Sequence, residues 1–272
     1  MYDYHTHTMP WSPDGKSAPF DMVEAAVDAG IHEMCFTEHW DEDYPPHEDK
    51  PFDFDFAQHA AMYEALCKQT AHLPIQLHRG IEVGLMPHLY DTTAARLETG
   101  HFEFVIASIH MVDGKDPCWD SFLEGRSKQT SYGEYLMAVH DMVHHFQDYH
   151  VVGHIGYPAK ADHYKRFFDD NVLRYHEFPE LLDDILTQVI HTGHGIEVNT
   201  SGLRCSEEPI PSWSVLQRYR ELGGEIITLG SDAHRVDHVA WGFPETIARL
   251  QAMGYRYIAV FRNGCMDMEP IG

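Results

Sequence analysis

The chain has 272 residues, of which 43% are hydrophobic, and both values suit a single α/β barrel domain. Its 43 acidic residues against 19 basic ones give a formal net charge of −24 at pH 7. This charge repels the phosphate backbone of a long nucleic acid, so we expect no nucleic-acid partner. A small anionic substrate stays compatible with it, because local cations dominate the field inside a pocket.

The sequence carries no sign of membrane insertion or of secretion. It has no run of about eighteen apolar residues and no charged-then-apolar leader at Met1. Its five cysteines lack C-x-x-C spacing, which indicates reduced thiols. We expect a cytoplasmic protein without a membrane segment. Because no linker or low-complexity stretch divides the chain, we also expect one domain, residues 1–272.

Apolar runs typical of strands alternate with helical patterns along the chain. The predicted strands are Tyr2 to His7, Glu33 to Thr37, Ile75 to Glu82, Phe104 to His110, Val151 to His154, Gly195 to Asn199, Glu225 to Ser231 and a late one, Tyr257 to Phe261. The predicted helices are Pro19 to Gly30, Asp53 to Ala71, Glu134 to Tyr149, Pro179 to His191, Ser212 to Leu222 and Pro244 to Met253. This alternation predicts a parallel sheet. The segment from Asp41 to Pro51 is predicted to be a loop above it.

Residues that can bind metals recur where the predicted strands end. They are His5, His7, His39, Glu82, His110, His154, Glu197, Asp232 and His234. His5 and His7 stand two apart on a strand, so their imidazoles point the same way, as a shared metal requires. With 22 histidines in the chain, accidental pairs are expected. The recurrence at strand ends is more informative, because a ring of parallel strands delivers these residues to one pocket.

Six short motifs together carry a family resemblance that covers nearly the whole chain. They are HTHT from His5, TEH at Thr37 to His39, GIE at Gly80 to Glu82, SIH at Ser108 to His110, GH at Gly153 and His154, and GSDAH at Gly230 to His234. In order and spacing the chain resembles the polymerase and histidinol phosphatase (PHP) superfamily, and specifically its histidinol-phosphate phosphatase branch. The resemblance implies a distorted (β/α)7 barrel of the TIM-like, PHP type with a trinuclear metal centre.

The resemblance also implies which residues hold the three ions. The first ion would be held by His5, His7, Glu82 and Asp232, the second by Glu82 with His110 and His154, and the third by His39 and His234 with Asp14 from the loop after the first strand. Mixed imidazole and carboxylate ligands suit zinc, manganese or iron, and the sequence leaves the choice open.

The catalytic roles follow from the same resemblance. A hydroxide shared by the metals would attack phosphorus, with Glu82 bridging the ions. Asp232 and His234 would either assist proton transfer to the leaving alkoxide or act only as ligands. Asn199, Arg204 and Lys160 are the expected contacts of the substrate and its phosphate. Glu197 would contact a substrate amine or orient a ligand.

We therefore expect hydrolysis of L-histidinol phosphate to L-histidinol and phosphate, a step of histidine biosynthesis. A PHP phosphoesterase acting on a nucleotide, a sugar phosphate or a short oligonucleotide would keep the same metals, although the missing basic stripe weighs against the last. An amidohydrolase also begins with H-x-H but bridges its metals with a carboxylated lysine, whereas the bridge here is Glu82. A non-catalytic metal-binding module is a further alternative. The oligomeric state is left open.

Overall fold

The computed structural model describes residues 1–47, 50–160 and 166–271. Seven parallel strands pair in chain order around a nearly closed barrel. They are β1 (Tyr2–Thr6), β2 (Glu33–Trp40), β3 (Gln76–Gly84), β4 (Phe104–Ser108), β5 (Val151–Val152), β6 (Gly195–Asn199) and β7 (Ile227–Gly230). The expected (β/α)7 barrel is therefore confirmed.

Helices lie between the strands and cover the barrel. They are α1 (Pro19–Asp28), α2 (Phe56–Thr70), α3 (Tyr90–Gly100), α4 (Asp120–Leu123), α5 (Lys128–His145), α6 (Pro179–His191), α7 (Gly202–Cys205), α8 (Trp213–Glu221) and α9 (Phe243–Ala252). In α6, the buried Leu182, Ile185, Leu186 and Val189 follow the helical spacing that predicted this element. No helix within the described ranges combines the length and apolarity needed to cross a bilayer.

Four helices depart from the sequence expectation, since α3 and the short α4 and α7 were not predicted and α5 begins earlier than expected. The unpredicted α3 buries only Thr93, Leu97 and Gly100, so its apolar periodicity is too weak to be recognised. The helix α5 begins at Lys128 rather than Glu134, because the Ser127 side chain caps it by accepting a hydrogen bond from the Thr130 amide.

Backbone and side-chain contacts close the seam between β1 and β7. The His7 amide donates to the Ala233 carbonyl over 2.9 Å, and the Asp232 amide donates to the His5 carbonyl over 2.8 Å. The buried Asp3 carboxylate accepts from the Ser231 amide at 2.9 Å. This seam sets the first motif of the chain directly against the last one.

A hairpin of β8 (Tyr257–Arg262) and β9 (Cys265–Pro270) closes the end of the barrel where the parallel strands begin. The predicted late strand does complete the core, since Ala259 and Val260 pack in one buried cluster with Phe104. It pairs antiparallel with β9, however, and belongs to a separate two-stranded sheet. The Tyr4 hydroxyl ties the hairpin to the barrel by donating to the Phe261 carbonyl over 3.2 Å.

A network of ion pairs and hydrogen bonds links the strands at the end of the barrel where they begin. His78 on β3 lies 2.9 Å from Glu33 Oε2 through Nε2 and 3.2 Å from Glu103 Oε2 through Nδ1. Arg262 of the hairpin also pairs with Glu33. Burial alone would lower the pKa of His78, but the bonds to Glu103 and Glu33 raise it above its ordinary value.

We predict that His78 makes the stability of the protein depend on pH. Because its folded pKa lies above the ordinary 6.5, its stabilising contribution is complete below that value and is lost as the pH rises through the folded pKa. His78→Gln should therefore lower the free energy of unfolding more at about pH 6 than at about pH 9. Urea unfolding of the metal-loaded protein measures this, with the exposed His72→Gln as control. Equal losses at both pH values would contradict the assignment.

Candidate metal centre

The nine predicted ligands meet at the end of the barrel where the parallel strands finish. His39 and Glu82 are register partners on β2 and β3, and the other ligands come from the neighbouring strand ends and loops. Their side chains border or lie beneath a cavity of about 310 Å³. This volume is at the lower end of the roughly 300–1,000 Å³ typical of small-molecule sites.

The first donor group joins His5, His7, Glu82 and Asp232. The Nε2 atoms of His5 and His7 are 2.9 Å apart and lie 3.2 Å and 3.4 Å from Glu82 Oε2. Asp232 Oδ1 is 3.9 Å from His5 Nε2 and 3.6 Å from His7 Nε2. The four side chains are almost completely shielded from solvent.

The second donor group shares Glu82 with the first. Glu82 Oε1 lies 2.8 Å from His154 Nε2 and 3.4 Å from His110 Nε2. The two Nε2 atoms are 3.5 Å apart. Glu82 therefore presents one oxygen to each donor group.

The third donor group is the most open to solvent. Asp14 Oδ2 lies 3.1 Å from His234 Nε2 and 3.7 Å from His39 Nε2. The other ring nitrogen of His39, Nδ1, lies 2.9 Å from Glu82 Oε2. The structure thus brings Asp14 next to the two histidines with which the resemblance grouped it.

These donors fit divalent metal ions. Ligands about 2.0–2.2 Å from one tetrahedral ion stand roughly 3.3–3.6 Å apart, which is close to the separations found in the first two groups. Glu82 Oε2 and Asp232 Oδ1 are buried and have no hydrogen-bond partner among the described residues. Such buried polar atoms are costly unless something satisfies them.

Both buried carboxylates are held as anions. Burial alone would raise the pKa of Glu82, but the neighbouring His5 and His110 hold it well below its ordinary value. Burial likewise opposes ionisation of Asp232, but Lys160 and His5 hold its pKa well below the ordinary range. Both side chains are therefore ready to act as anionic ligands at neutral pH.

Hydrogen bonds at Nδ1 turn the Nε2 atoms of several histidines toward the centre. His5 Nδ1 lies 2.5 Å from Glu197 Oε1, and His110 Nδ1 lies 2.6 Å from Asp41 Oδ1. His234 Nδ1 donates to the Asp232 carbonyl over 3.1 Å. A bond of this kind fixes the hydrogen on Nδ1 and leaves the Nε2 lone pair for a metal.

Ser12 performs the same task for His7. Its hydroxyl donates to Glu38 Oε2 over 2.6 Å and accepts from the His39 amide at 3.1 Å. Its second acceptor site faces His7 Nδ1 at 3.2 Å. Because the only hydroxyl hydrogen is directed to Glu38, His7 must supply the hydrogen between them, which leaves its Nε2 free. Glu38 thus acts on His7 through Ser12.

Two glycines make room for the orienting carboxylates. A Cβ atom on Gly84 would stand 1.6 Å from Asp41 Oδ1, and one on Gly230 would stand 2.3 Å from Glu197 Oε1. Neither distance is physically accessible, so a side chain at either position would displace an orienting carboxylate.

The predicted substrate contacts have different positions. Lys160 and Arg204 line the cavity. Lys160 pairs with Asp232 Oδ2, and Arg204 donates to the Ser231 carbonyl over 2.9 Å. Asn199 is fully buried and donates to Asp232 Oδ2 over 2.9 Å and to Glu197 Oε2 over 3.1 Å. Its side-chain amide therefore holds two carboxylates of the centre.

An aromatic wall lines part of the cavity beside its charged residues. It consists of Tyr44, Phe52 and Tyr157, with His238 at the rim near Arg204. The hydroxyls of Tyr44 and Tyr157 both donate to Asp116 Oδ2, the latter over 3.2 Å. Because Asp116 is itself buried, its carboxylate holds both tyrosine rings in place through their hydroxyls.

Sequence reasoning missed Asp41 and Ser12. Asp41 carried a usable signal, because it stands two residues after His39 and an extended chain turns alternate residues to the same side. Ser12 carried none, since a loop serine is ordinary and its role depends on three partners that only the fold brings together.

Comparison with known proteins points to one family. A family model described as the PHP domain matches residues 3–201. The histidinol-phosphatase of Lactococcus lactis is 28% identical, over 97% of this chain and 96% of that protein. A probable histidinol-phosphatase of Thermotoga maritima is 25% identical, over 96% of this chain and 95% of that protein.

Solved structures agree with the sequence comparison. The crystal structure of histidinol phosphate phosphatase from Lactococcus lactis, complexed with Zn, L-histidinol and phosphate, has a TM-score of 0.84 at 25% identity and 98% coverage of both chains. A histidinol phosphatase structure from Listeria monocytogenes, described as putative, has a TM-score of 0.74 at 20% identity, covering 90% of this chain and 99% of that one. The latter supports the fold alone.

We predict that Asp41→Asn weakens metal binding at the His110 side of the centre. An amide replaces the anionic acceptor at His110 Nδ1, and losing such a partner typically costs about 10–100-fold in metal affinity. Zinc titration against a competing chelator measures this. The control is Asp43→Asn, because the Asp43 side chain is 66% exposed and pairs with His88, which is 60% exposed. Unchanged zinc affinity in Asp41→Asn would show that Asp41 does not orient a ligand.

Proposed function

The chain belongs to the PHP domain family and is a metal-dependent phosphatase, and we propose that its substrate is L-histidinol phosphate, cleaved to L-histidinol and phosphate in histidine biosynthesis. The end-to-end similarity to the histidinol-phosphatase of Lactococcus lactis supports this choice. So does the likeness to a structure that holds Zn, L-histidinol and phosphate.

One observation supports the phosphatase chemistry above all others, namely the position of Glu82 between two donor groups. Its two oxygens lie within 3.4 Å of Nε2 atoms from four histidines, His5, His7, His110 and His154. We infer that Glu82 bridges two of three divalent ions and that Asp14, His39 and His234 hold the third. Zn, Mn and Fe all accept this donor set.

Bound ions would supply a Lewis acid for the phosphoryl oxygens and would lower the pKa of a water molecule for attack on phosphorus. The protein adds two cations where the phosphate would enter. Lys160 is paired with Asp232, which raises the pKa of the Lys160 ammonium despite the opposing effect of burial. The Arg204 guanidinium borders the same cavity and offers a planar fork to phosphate oxygens.

We assign proton transfer to Asp232. Its Oδ1 faces the centre, has no hydrogen-bond partner among the residues described, and lies 3.5 Å from His234 Nδ1. As the attacking water bonds to phosphorus and the bond to the ester oxygen breaks, Asp232, which would also be a ligand, can relay the water's proton to the leaving alkoxide without staying protonated, because Lys160 and His5 hold its pKa well below the ordinary range. His234 serves as a ligand, because its Nδ1–H already donates to the Asp232 carbonyl.

The aromatic wall suits the organic part of this substrate. Tyr157 and Tyr44 are held in place by Asp116, so the aromatic lining is preformed, and Lys160 Nζ lies 5.5 Å from the centroid of the Tyr157 ring. A planar imidazole can stack there while its phosphate reaches Lys160 and Arg204. The small cavity also disfavours a polymeric substrate. Asn199 acts as a positioning residue for Asp232 and Glu197.

The substrate is tested by measuring phosphate release from histidinol phosphate, nucleoside monophosphates, sugar phosphates and a short oligonucleotide. We expect kcat/KM for histidinol phosphate to exceed the others by about a hundredfold, a difference of roughly 2.7 kcal/mol. Glu82→Gln should lose at least about a hundredfold in kcat, because even residues that only orient ligands cost about 10–100-fold. Equal rates across the panel would reject the substrate, and an active Glu82→Gln would reject the bridge.

We predict that Arg204→Ala raises KM without loss of metal. Hydrogen bonds to charged groups contribute about 1.5–3 kcal/mol, so KM for the phosphoester should rise roughly ten- to a hundredfold. Steady-state kinetics together with metal analysis measures this. Arg220→Ala is the control, since Arg220 pairs with Glu225 away from the cavity. An unchanged KM in Arg204→Ala would remove Arg204 from the phosphate site.

A further inference from the structure

A second group of metal-type donors lies on the outer surface, away from the cavity. His140 and His144 stand one helical turn apart on α5, and Asp184 faces them from the neighbouring α6. His140 Nε2 is 2.7 Å from Asp184 Oδ2, and one donor atom from each of the three residues lies within 4.8 Å of the others. Positions i and i+4 on a helix share a face, which explains why the two imidazoles converge.

The ring of His144 is already oriented for binding. Its Nδ1 donates to the His140 carbonyl over 2.8 Å, so its hydrogen is fixed there and its Nε2 lone pair is left for a ligand. This is the arrangement found at metal-bound histidines, which usually donate their second ring nitrogen to an acceptor. The two rings lie 4.3 Å apart between centroids, with 31° between their planes.

We propose that His140, His144 and Asp184 form a separate surface site for a divalent transition metal such as Zn²⁺. Two imidazoles and one carboxylate match the ligand preference of zinc, with water completing the coordination. When the metal binds, the neutral His140 ring would carry its hydrogen on Nδ1 instead of Nε2, so His140 Nε2 and the Asp184 carboxylate would turn from partners of each other into ligands.

This surface site lies in a different part of the barrel from the catalytic centre. His140 and His144 lie in the last two turns of α5, just before β5 begins, whereas the catalytic donors lie where the strands end. A bound ion would cross-link α5 to α6 on the outside of the barrel. It should therefore stabilise the fold without changing the reaction.

The test uses full-length protein whose catalytic centre is already saturated with zinc. Equilibrium dialysis against rising buffered Zn²⁺, with metal analysis, should show one further ion per chain and a higher melting temperature. His144→Ala should weaken this additional binding at least about tenfold and abolish the melting shift, with kcat unchanged. His145→Ala is the matched control, since His145 makes the same Nδ1 bond to the carbonyl four residues earlier, at 2.8 Å from Asp141 O.

Two outcomes would overturn the proposal. One is the absence of a further ion in the wild-type protein at zinc concentrations that leave it soluble. The other is equal binding by wild type, His144→Ala and His145→Ala, which would place any additional zinc elsewhere on the surface. A His140→Gln variant distinguishes loss of a ligand from loss of folding. It too should lose the ion, while its circular dichroism spectrum stays that of the folded protein.

Discussion

The structure depends on the burial of one carboxylate, Glu82, at the centre of a ring of imidazoles. An ionised carboxylate without exposure is very costly unless cations or hydrogen-bond donors surround it. Here His5, His7, His110 and His154 converge on its two oxygens, and they come from β1 and from the ends of β1, β4 and β5. The nearly closed barrel is what allows residues so distant in sequence to share one neighbour. The same convergence creates the donor groups that suit metal ions.

Around these donors lies an outer layer of acceptors that fixes how each imidazole is turned. Glu197, Asp41 and Ser12 hold His5, His110 and His7 through Nδ1, and the chain provides space for two of these carboxylates by placing glycine at Gly84 and Gly230. Glycine at these two positions, of which Gly230 belongs to the GSDAH motif, thus has a steric reason. A chain of net charge −24 can still suit an anionic substrate, because the two nearby cations, together with the metal ions that the centre would hold, would make the local charge positive.

Much of the fold and of the metal centre could be predicted from the sequence, and the features that could not be predicted have physical reasons. Local periodicity predicted the alternating strands and helices and the recurrence of ligands at strand ends, whereas the (β/α)7 barrel and the grouping of nine ligands, with Asp14 among them, were implied by the family resemblance. The β8–β9 hairpin was not, because an exposed edge strand such as Cys265–Pro270 buries too little to leave an apolar pattern. Orienting contacts were hardest to predict. Asn199 was expected to touch substrate, yet its amide binds Glu197 and Asp232, a distinction that rests on side-chain direction and not on residue type.

The central claim is that Glu82 joins two metal positions, and anomalous X-ray diffraction from crystals of zinc-loaded protein tests it most directly. We expect one zinc peak among His5, His7 and Asp232 and another between His110 and His154, with Glu82 contacting both. A third peak beside Asp14, His39 and His234 would complete the centre. A single peak, or two peaks of which Glu82 contacts at most one, would contradict the account.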